Sequence, residues 1–301
     1  MTDLVIRPLV AGEENLFDSM PDPLPQLRQV AYADGIAGGG YRPETTWVAL
    51  RAGRVVGRAA WLLPPGAVGA PWLDRFDLDA EPEVGAELLH AAHEALGGPG
   101  RYYAALPAHW RRRPEVLAVV RAPMAAARLA GLVERGERGE RLRCSWAGTP
   151  LPASSGRYDF RRPADAAEIN ALVTRIAEPD VLTGVEIARA VAGVDLATDP
   201  LAWLGDATEE WRIALDAGEA VGLVGTAGDA CYPLLAYLGL LDDAARPELL
   251  VEAVRVLAAG GAREIIADVD SHQVAVLAEL ERTGFRQLRS RIVFAPQDAP
   301  E

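Results

Sequence analysis

Lysine is absent from all 301 residues, so each of the 30 basic side chains is an arginine. That excludes a lysine Schiff base, a pyridoxal-phosphate anchor and a P-loop lysine. Cysteine is scarce: Cys144 and Cys231 form no CxxC and no disulfide framework. Four scattered histidines, His90, His93, His109 and His272, make no zinc cluster, so no metal is expected. Long apolar runs are missing, and none of the short ones can cross a bilayer. Met1-Thr2-Asp3-Leu4 opens without a basic region followed by an apolar one, so no signal peptide is read and a cytoplasmic location is expected. Positive charge is short: 43 acids against 30 bases give a net charge of −13 and a pI near 4.9. Such a chain is a poor partner for nucleic acid or an anionic membrane, while a cationic amine suits it. What is present is apolar bulk: half the residues are hydrophobic. The length corresponds to about two domains.

The two halves repeat one pattern. Leu4-Val5-Ile6-Arg7-Pro8 and Tyr158-Asp159-Phe160-Arg161-Arg162-Pro163 each read as a strand stopped by proline, before a segment able to begin a helix. The clearer of those segments is Ala164 to Ile176. A hairpin follows: Trp47 to Arg51, a turn at Ala52-Gly53-Arg54, then Val55-Val56-Gly57. Its counterpart is Trp211 to Leu215, a turn at Asp216-Ala217-Gly218-Glu219, then Ala220 to Val224. Next comes strand, helix, strand, helix: Trp72–Leu78, Pro82–Leu96, Arg101–Leu106 and Pro114–Ala130 in the first half. The second half offers Leu234–Leu241, Pro247–Ala259, Glu264–Val269 and Gln273–Arg282. Proline at helix starts and glycine just past helix ends punctuate both halves. Closing strands are read at Arg141–Trp146 and Ser290–Phe294. Gly148-Thr149-Pro150 to Ser154-Ser155-Gly156 reads as a linker, which puts the domains at 1–150 and 151–301. One continuous α/β domain with chance similarity is the alternative.

This order resembles the GNAT acyltransferase superfamily, in the tandem form of actinobacterial proteins. The carrying stretches are Arg42-Pro43-Glu44-Thr45-Thr46-Trp47-Val48-Ala49-Leu50-Arg51 with Gly53-Arg54-Val55-Val56, and the helix through Val256 and Leu257 that ends at Gly260. Ala262-Arg263-Glu264-Ile265-Ile266-Ala267 and Thr283-Gly284-Phe285 add to them. The resemblance implies an α/β (α+β) fold: a tandem duplication of a mixed, mostly antiparallel, splayed sheet flanked by helices. It implies an N-acyltransferase moving an acyl group from acetyl-CoA or another acyl-CoA to a small-molecule amine. In that family one splayed strand pairs with the pantetheine amides, and a Gly-rich turn at the next helix holds the pyrophosphate. A homodimer is compatible with the reading.

The chain departs from the family at its diagnostic turn, an Arg/Gln-x-x-Gly-x-Gly/Ala pattern. In the second half the place falls on Leu240 to Leu250, which has no glycine. In the first it falls on Leu78 to Ala86, with one glycine and three acids, which makes the first copy a degenerate one. Acids beside a pyrophosphate cost on the order of 1 kcal/mol per close pair even in water. Asp242, Asp243, Asp79 and Glu83 suit N-caps and first helical turns equally well. The family's terminal-helix tyrosine is replaced by Leu280.

The candidate site therefore gathers at the carboxyl ends of the second-half strands. Tyr237, His272 and Asp270 are the catalytic candidates, against core packing for Tyr237 and an exposed turn for His272. Leu238, Gly239, Leu240, Ala244, Ala245 and Arg246 are the cofactor-binding candidates, with Gly239 permitting a bulge and Arg246 alternatively paired to its aspartates. Cys231 reads as a buried inert thiol, and His90 with His93 as surface histidines. Trp110-Arg111-Arg112-Arg113-Pro114 reads as a solvated basic loop or an anion holder. The competing function is a GNAT-fold protein that no longer uses acyl-CoA, acting as a binding protein or running other chemistry in the same cleft.

Overall fold

A computed structural model describes residues 4–27, 31–67, 70–135, 139–183, 188–189, 192–228 and 233–298. The chain divides into two units, residues 1–140 with 289–301, and residues 141–288. These limits differ from 1–150 and 151–301 in the two closing strands, each of which belongs with the other half of the sequence.

In the first unit the strands are β1 (Leu4–Pro8), β2 (Thr46–Arg51), β3 (Arg54–Leu62), β4 (Trp72–Leu78), β5 (Tyr102–Pro107) and β6 (Leu132–Glu134). The helices are α1 (Glu14–Asp18), α2 (Tyr32–Ala37), α3 (Pro82–Leu96) and α4 (Pro114–Leu129). β1 through β4 pair antiparallel in order, and β4 meets β5 in parallel at a single pair, Leu73 with Tyr102. The C-terminal strand adds Arg289 to Phe294 against β5. In the second unit, β7 (Glu140–Trp146) supplies Arg141–Trp146. It is followed by β8 (Asp159–Arg161), α5 (Ala166–Val173), β9 (Asp180–Val181), α6 (Leu201–Leu204), β10 (Trp211–Asp216), β11 (Glu219–Ala227) and β12 (Leu234–Leu240). Then come α7 (Arg246–Ala259), β13 (Ile265–Asp270) and α8 (Val274–Thr283), and the C-terminal strand β14 (Arg286–Pro296) belongs to the first unit from Arg289 onward. β8, β10, β11 and β12 pair antiparallel, and β12 meets β13 in parallel only at Leu234 with Ile266. β7 closes that sheet against β13.

The repeat is written in the backbone. Both hairpins turn on a two-residue loop with positive φ at each position: Ala52 at 52° and Gly53 at 77°, Ala217 at 51° and Gly218 at 88°. This is the turn whose twist matches that of paired strands. Both central strands carry a bulge at the corresponding place. Ala60 pairs with Arg75 and Trp61 with Leu73, leaving Asp74 extra. Gly225 pairs with Tyr237 and Thr226 with Leu235, leaving Ala236 extra. After these bulges the parallel pairs part.

Alternation along β2 and β3 sends Trp47, Ala49 and Ala59 to a core under α3 and α4. Val48, Val55 and Ala60 go to a second core with Phe17, Tyr32 and Tyr41. The second unit repeats the plan, with one core around Leu249, Val254 and Leu280 and another around Ile169, Trp211 and Tyr237. Among the described residues no helix is long and apolar enough to cross a membrane.

Alanine is a poor occupant of a left-handed turn position, where asparagine is tolerated. Ala52→Asn and Ala217→Asn are each expected to raise stability by about 0.5 kcal/mol, read as a higher denaturant midpoint at unchanged slope.

Candidate functional site

The second-half strands part where the sequence placed the site, and the chain itself fills the gap. β9 pairs with β12, Val181 opposite Tyr237 and Asp180 opposite Leu238. The Leu182 amide donates to the Ala236 carbonyl at 2.9 Å, and the Asp268 amide donates to the Leu182 carbonyl at 2.9 Å. Leu182 is fully buried. The Arg141 guanidinium donates to the carbonyls of Val181 (2.9 Å), Thr183 (3.1 Å) and Asp268 (2.6 Å). The strand edge that pantetheine amides would need is already bonded to residues 180–183.

The six cofactor-binding candidates are therefore engaged within the chain. Leu238 faces β9, and Leu240 ends β12 half-buried. Gly239 is not at the bulge, which falls on Ala236. A Cβ on Gly239 would lie 2.3 Å from Ile176 Cδ1, so glycine is there to admit that side chain. The turn amides are closed from within: Ala244 donates to the Asp242 carboxylate at 3.0 Å, Ala245 to the Asp242 carbonyl at 3.0 Å, and Arg246 to the Asp243 carbonyl. The Arg246 side chain bonds Asp243 at 2.8 Å and stands 3.8 Å from Asp180. Such a turn does not fit a pyrophosphate.

The three catalytic candidates do not converge. Tyr237 is fully buried against Trp211, with ring centroids 5.7 Å apart, and burial pushes its hydroxyl pKa up. It is core. His272 is exposed in the turn after β13. Asp270 faces Arg141 at 3.5 Å. Asp180, which the sequence reading passed over, is a perturbed acid beside the filled gap. Its pKa rises to about 6, chiefly through burial, opposed by Arg246, raised by Asp243, and lowered by the Gln273 hydrogen bond and by His272. Gln273 donates to it at 2.7 Å.

In the first half the gap stays open. A cleft open to solvent lies between the parted strands. Leu24 and Leu27 line it with Asp74, Phe76 and Asp77 of β4, Tyr102, Ala104, Ala105 and Leu106 of β5, and Val119, Val120, Pro123 and Met124 of α4. The bulge turns Asp74 and Arg75 toward the same neighbour: the Tyr41 hydroxyl donates to the Asp74 carboxylate, and Arg75 Nε donates to that hydroxyl at 3.2 Å. Burial and the Asp74 charge raise the Tyr41 pKa, so it keeps its proton at neutral pH. Buried Arg58 donates to Asp77 at 2.9 Å, to the carbonyls of Phe17 (2.8 Å) and Met20 (2.7 Å), and to Asp22. Pro123 sits inside α4 and, lacking an N–H, cannot serve the Val119 carbonyl. Neither Asp74 nor Tyr41 came from the sequence reading. The available signal was two aspartates inside the strand Trp72-Leu73-Asp74-Arg75-Phe76-Asp77-Leu78.

The turn after β4 is acidic but paired. Arg54 bonds Asp79 at 2.5 Å and Arg51 bonds Glu81 at 3.0 Å, both at the surface. Gly85 is a packing residue: a Cβ there would lie 2.7 Å from Ala126 Cβ and 2.8 Å from Leu78 Cδ2.

The other candidates are structural. His93 is buried edge-on to Trp61 at 5.8 Å, and burial lowers its pKa to about 4, so only His90 of the pair is at the surface. Trp110 Nε1 donates to Glu140 at 3.2 Å and Arg111 pairs with the same carboxylate. Burial first, then Asp268, pushes the Cys144 thiol up to about 12. Cys231 lies outside the described residues. Among the described residues no group of three or more His, Cys, Asp or Glu is placed to hold a metal.

No family model matches the chain, and a search of curated proteins found no match. Solved structures do match. A GCN5-related N-acetyltransferase from Sphaerobacter thermophilus superposes with a TM-score of 0.59 at 12% identity, covering 97% of this chain and 94% of that one. A tandem GNAT protein from the clavulanic acid biosynthesis pathway, solved without AcCoA, superposes with a TM-score of 0.50 at 17% identity, covering 99% and 100%. At such identities the likeness shows the fold: this chain carries a tandem duplication of the GNAT fold.

Helical Gly→Ala ordinarily stabilises by about 1 kcal/mol. Gly85→Ala is expected to reverse that sign and cost about 1–3 kcal/mol through overpacking against Ala126, read by denaturant unfolding. The raised pKa of Asp180 means that the folded state holds this proton more tightly than the unfolded state. Its contribution is intact below about pH 4 and is lost as pH rises to about 6. Asp180→Asn should flatten the fall in Tm across that window and raise Tm at pH 7.

Proposed function

We propose that this tandem of two GNAT folds is an acyl-CoA-dependent N-acyltransferase, and that the reaction runs in the first-half cleft. The observation that supports it is the contrast between two equivalent gaps: residues 180–183 fill one, and the other is an open cleft. The amine substrate expected from the sequence is kept, and the site moves from the second half to the first.

In this reading β4 beyond Leu73 offers its edge to the pantetheine arm. Arg51 and Arg54 supply positive charge for the phosphates. Their pairs with Glu81 and Asp79 are exposed, hence weak and exchangeable. Acyl-CoA supplies the activated acyl group. Asp74, directly or through one water, takes the proton that the amine nitrogen loses as the N–C bond forms and the C–S bond breaks, and that proton is returned to the departing CoA thiolate. Tyr41 and Arg75 orient that carboxylate. The second unit is a scaffold that holds its own peptide where the ligand would lie.

A second reading, a GNAT fold that has abandoned acyl-CoA, is favoured by the closed turn at Ala244–Arg246 and the acids at Asp79, Glu81 and Glu83. Calorimetry with acetyl-CoA separates the two. Wild type should bind one equivalent per chain. Ala105→Trp, filling the cleft wall, should weaken binding at least about tenfold, roughly the loss of one good contact. Arg246→Ala should leave it unchanged. Absence of binding at millimolar acetyl-CoA selects the second reading.

A further inference from the structure

Resting on the reading of the first-half cleft as an acyl-transfer site, we propose that its acceptor is a primary amine with an apolar body. The ammonium sits at Asp74, and the body lies against Leu24, Tyr102, Val120 and Met124.

The charged groups on the cleft wall are acceptors. Asp74 and Asp77 are the charged residues among the described lining, and both are acids. Asp77 faces the Arg58 guanidinium on its far side at 2.9 Å. Asp74 takes a hydrogen bond from a neutral hydroxyl, that of Tyr41, and is half-buried at the cleft wall. Across the gap Pro123 deprives the Val119 carbonyl of its in-helix donor, and Val119 and Pro123 both line the cleft. Carboxylate and carbonyl acceptors recognise a ligand rich in N–H donors.

The rest of the wall is aliphatic or aromatic: Leu24 and Leu27, Val120 and Met124 of α4, and Phe76 and Tyr102. A second ammonium along the chain would lie against the apolar part of the wall and lose its hydration there, which disfavours a polyamine. An α-carboxylate would be placed beside Asp74 and Asp77, which disfavours an amino acid. An alkyl or aryl group gains from the same surface.

Calorimetry on the full-length chain without acyl-CoA tests this with butylamine, hexylamine, hexanol and spermidine at pH 7. Affinity is expected to rise about fourfold per methylene buried between butylamine and hexylamine. Hexanol should bind about tenfold more weakly than hexylamine, as the loss of a charge-assisted hydrogen bond requires. Asp74→Asn should reduce hexylamine binding about tenfold and leave hexanol binding unchanged, which also reports an intact cleft. The chain-length series needs no variant and stands if Asp74→Asn does not fold. Hexanol equal to hexylamine, spermidine tighter than hexylamine, a flat chain-length series, or no hexylamine binding at millimolar concentration overturns the proposal. Acetyl-CoA titration of the same sample reads the acyl-transfer proposal separately. Acetyl-CoA binding without hexylamine binding defeats the acceptor assignment alone; hexylamine binding without acetyl-CoA binding defeats acyl transfer.

Discussion

Two parallel strands that pair at one residue and then part set the terms for each unit. Leu73 meets Tyr102 in one and Leu234 meets Ile266 in the other, and beyond those pairs neither partner serves the other's edge. A bulge just along the strand, at Asp74 or Ala236, adds twist and turns the strand away. Backbone groups left in an apolar gap cost about 1–3 kcal/mol each when unmet. Chain, solvent or ligand must therefore meet them. The fold does not dictate which, and that freedom is where the two copies diverge.

The second copy uses chain. Leu182 presents one donor and one acceptor, and each finds its complement on a different strand. That peptide reproduces what a ligand amide would do between the same strands. The closure extends to the turn, where Asp242 caps with its carboxylate and its carbonyl the amides that a diphosphate would have used. The plug carries a cost, since Asp180 is buried beside Asp243 as well as Arg246, and its ionisation is opposed. The first copy keeps its gap open, bordered by α4 and by the segment around Leu24.

Much of this plan was legible in the sequence because local chemistry repeats. Proline at helix starts, the Ala-Gly hairpin turns and the apolar runs located most strands and helices to within one or two residues. The contents of the gaps were not legible. Asp180-Val181-Leu182-Thr183 has no periodicity of its own, and two residues of pairing leave no pattern. Gly239 looked functional because a sequence records the missing Cβ and not the side chain pressed against it. Tyr237 looked like a cleft residue for a related reason: alternation along a strand covered on both faces does not say which face holds the ligand. The exchange of closing strands was equally hidden, since Arg141–Trp146 and Arg289–Pro296 read alike and either could complete either sheet.

The absence of lysine bears on the same contrast. One buried arginine in each unit fastens an irregular segment to the sheet through its main-chain carbonyls: Arg58 holds Phe17 and Met20, and Arg141 holds Val181 and Thr183. A planar fork of five donors can bind two carbonyls and a carboxylate together, as Arg58 does with Asp77; an ammonium on a flexible stem is poorly suited to that geometry. The two arginines fasten different stretches of chain, and from this the difference between the copies follows. Arg141 secures a segment inside the gap, so the gap is spent on structure. Arg58 secures residues 17–22 and takes up Asp77 as it does so, leaving Asp74 on the wall of an open cleft.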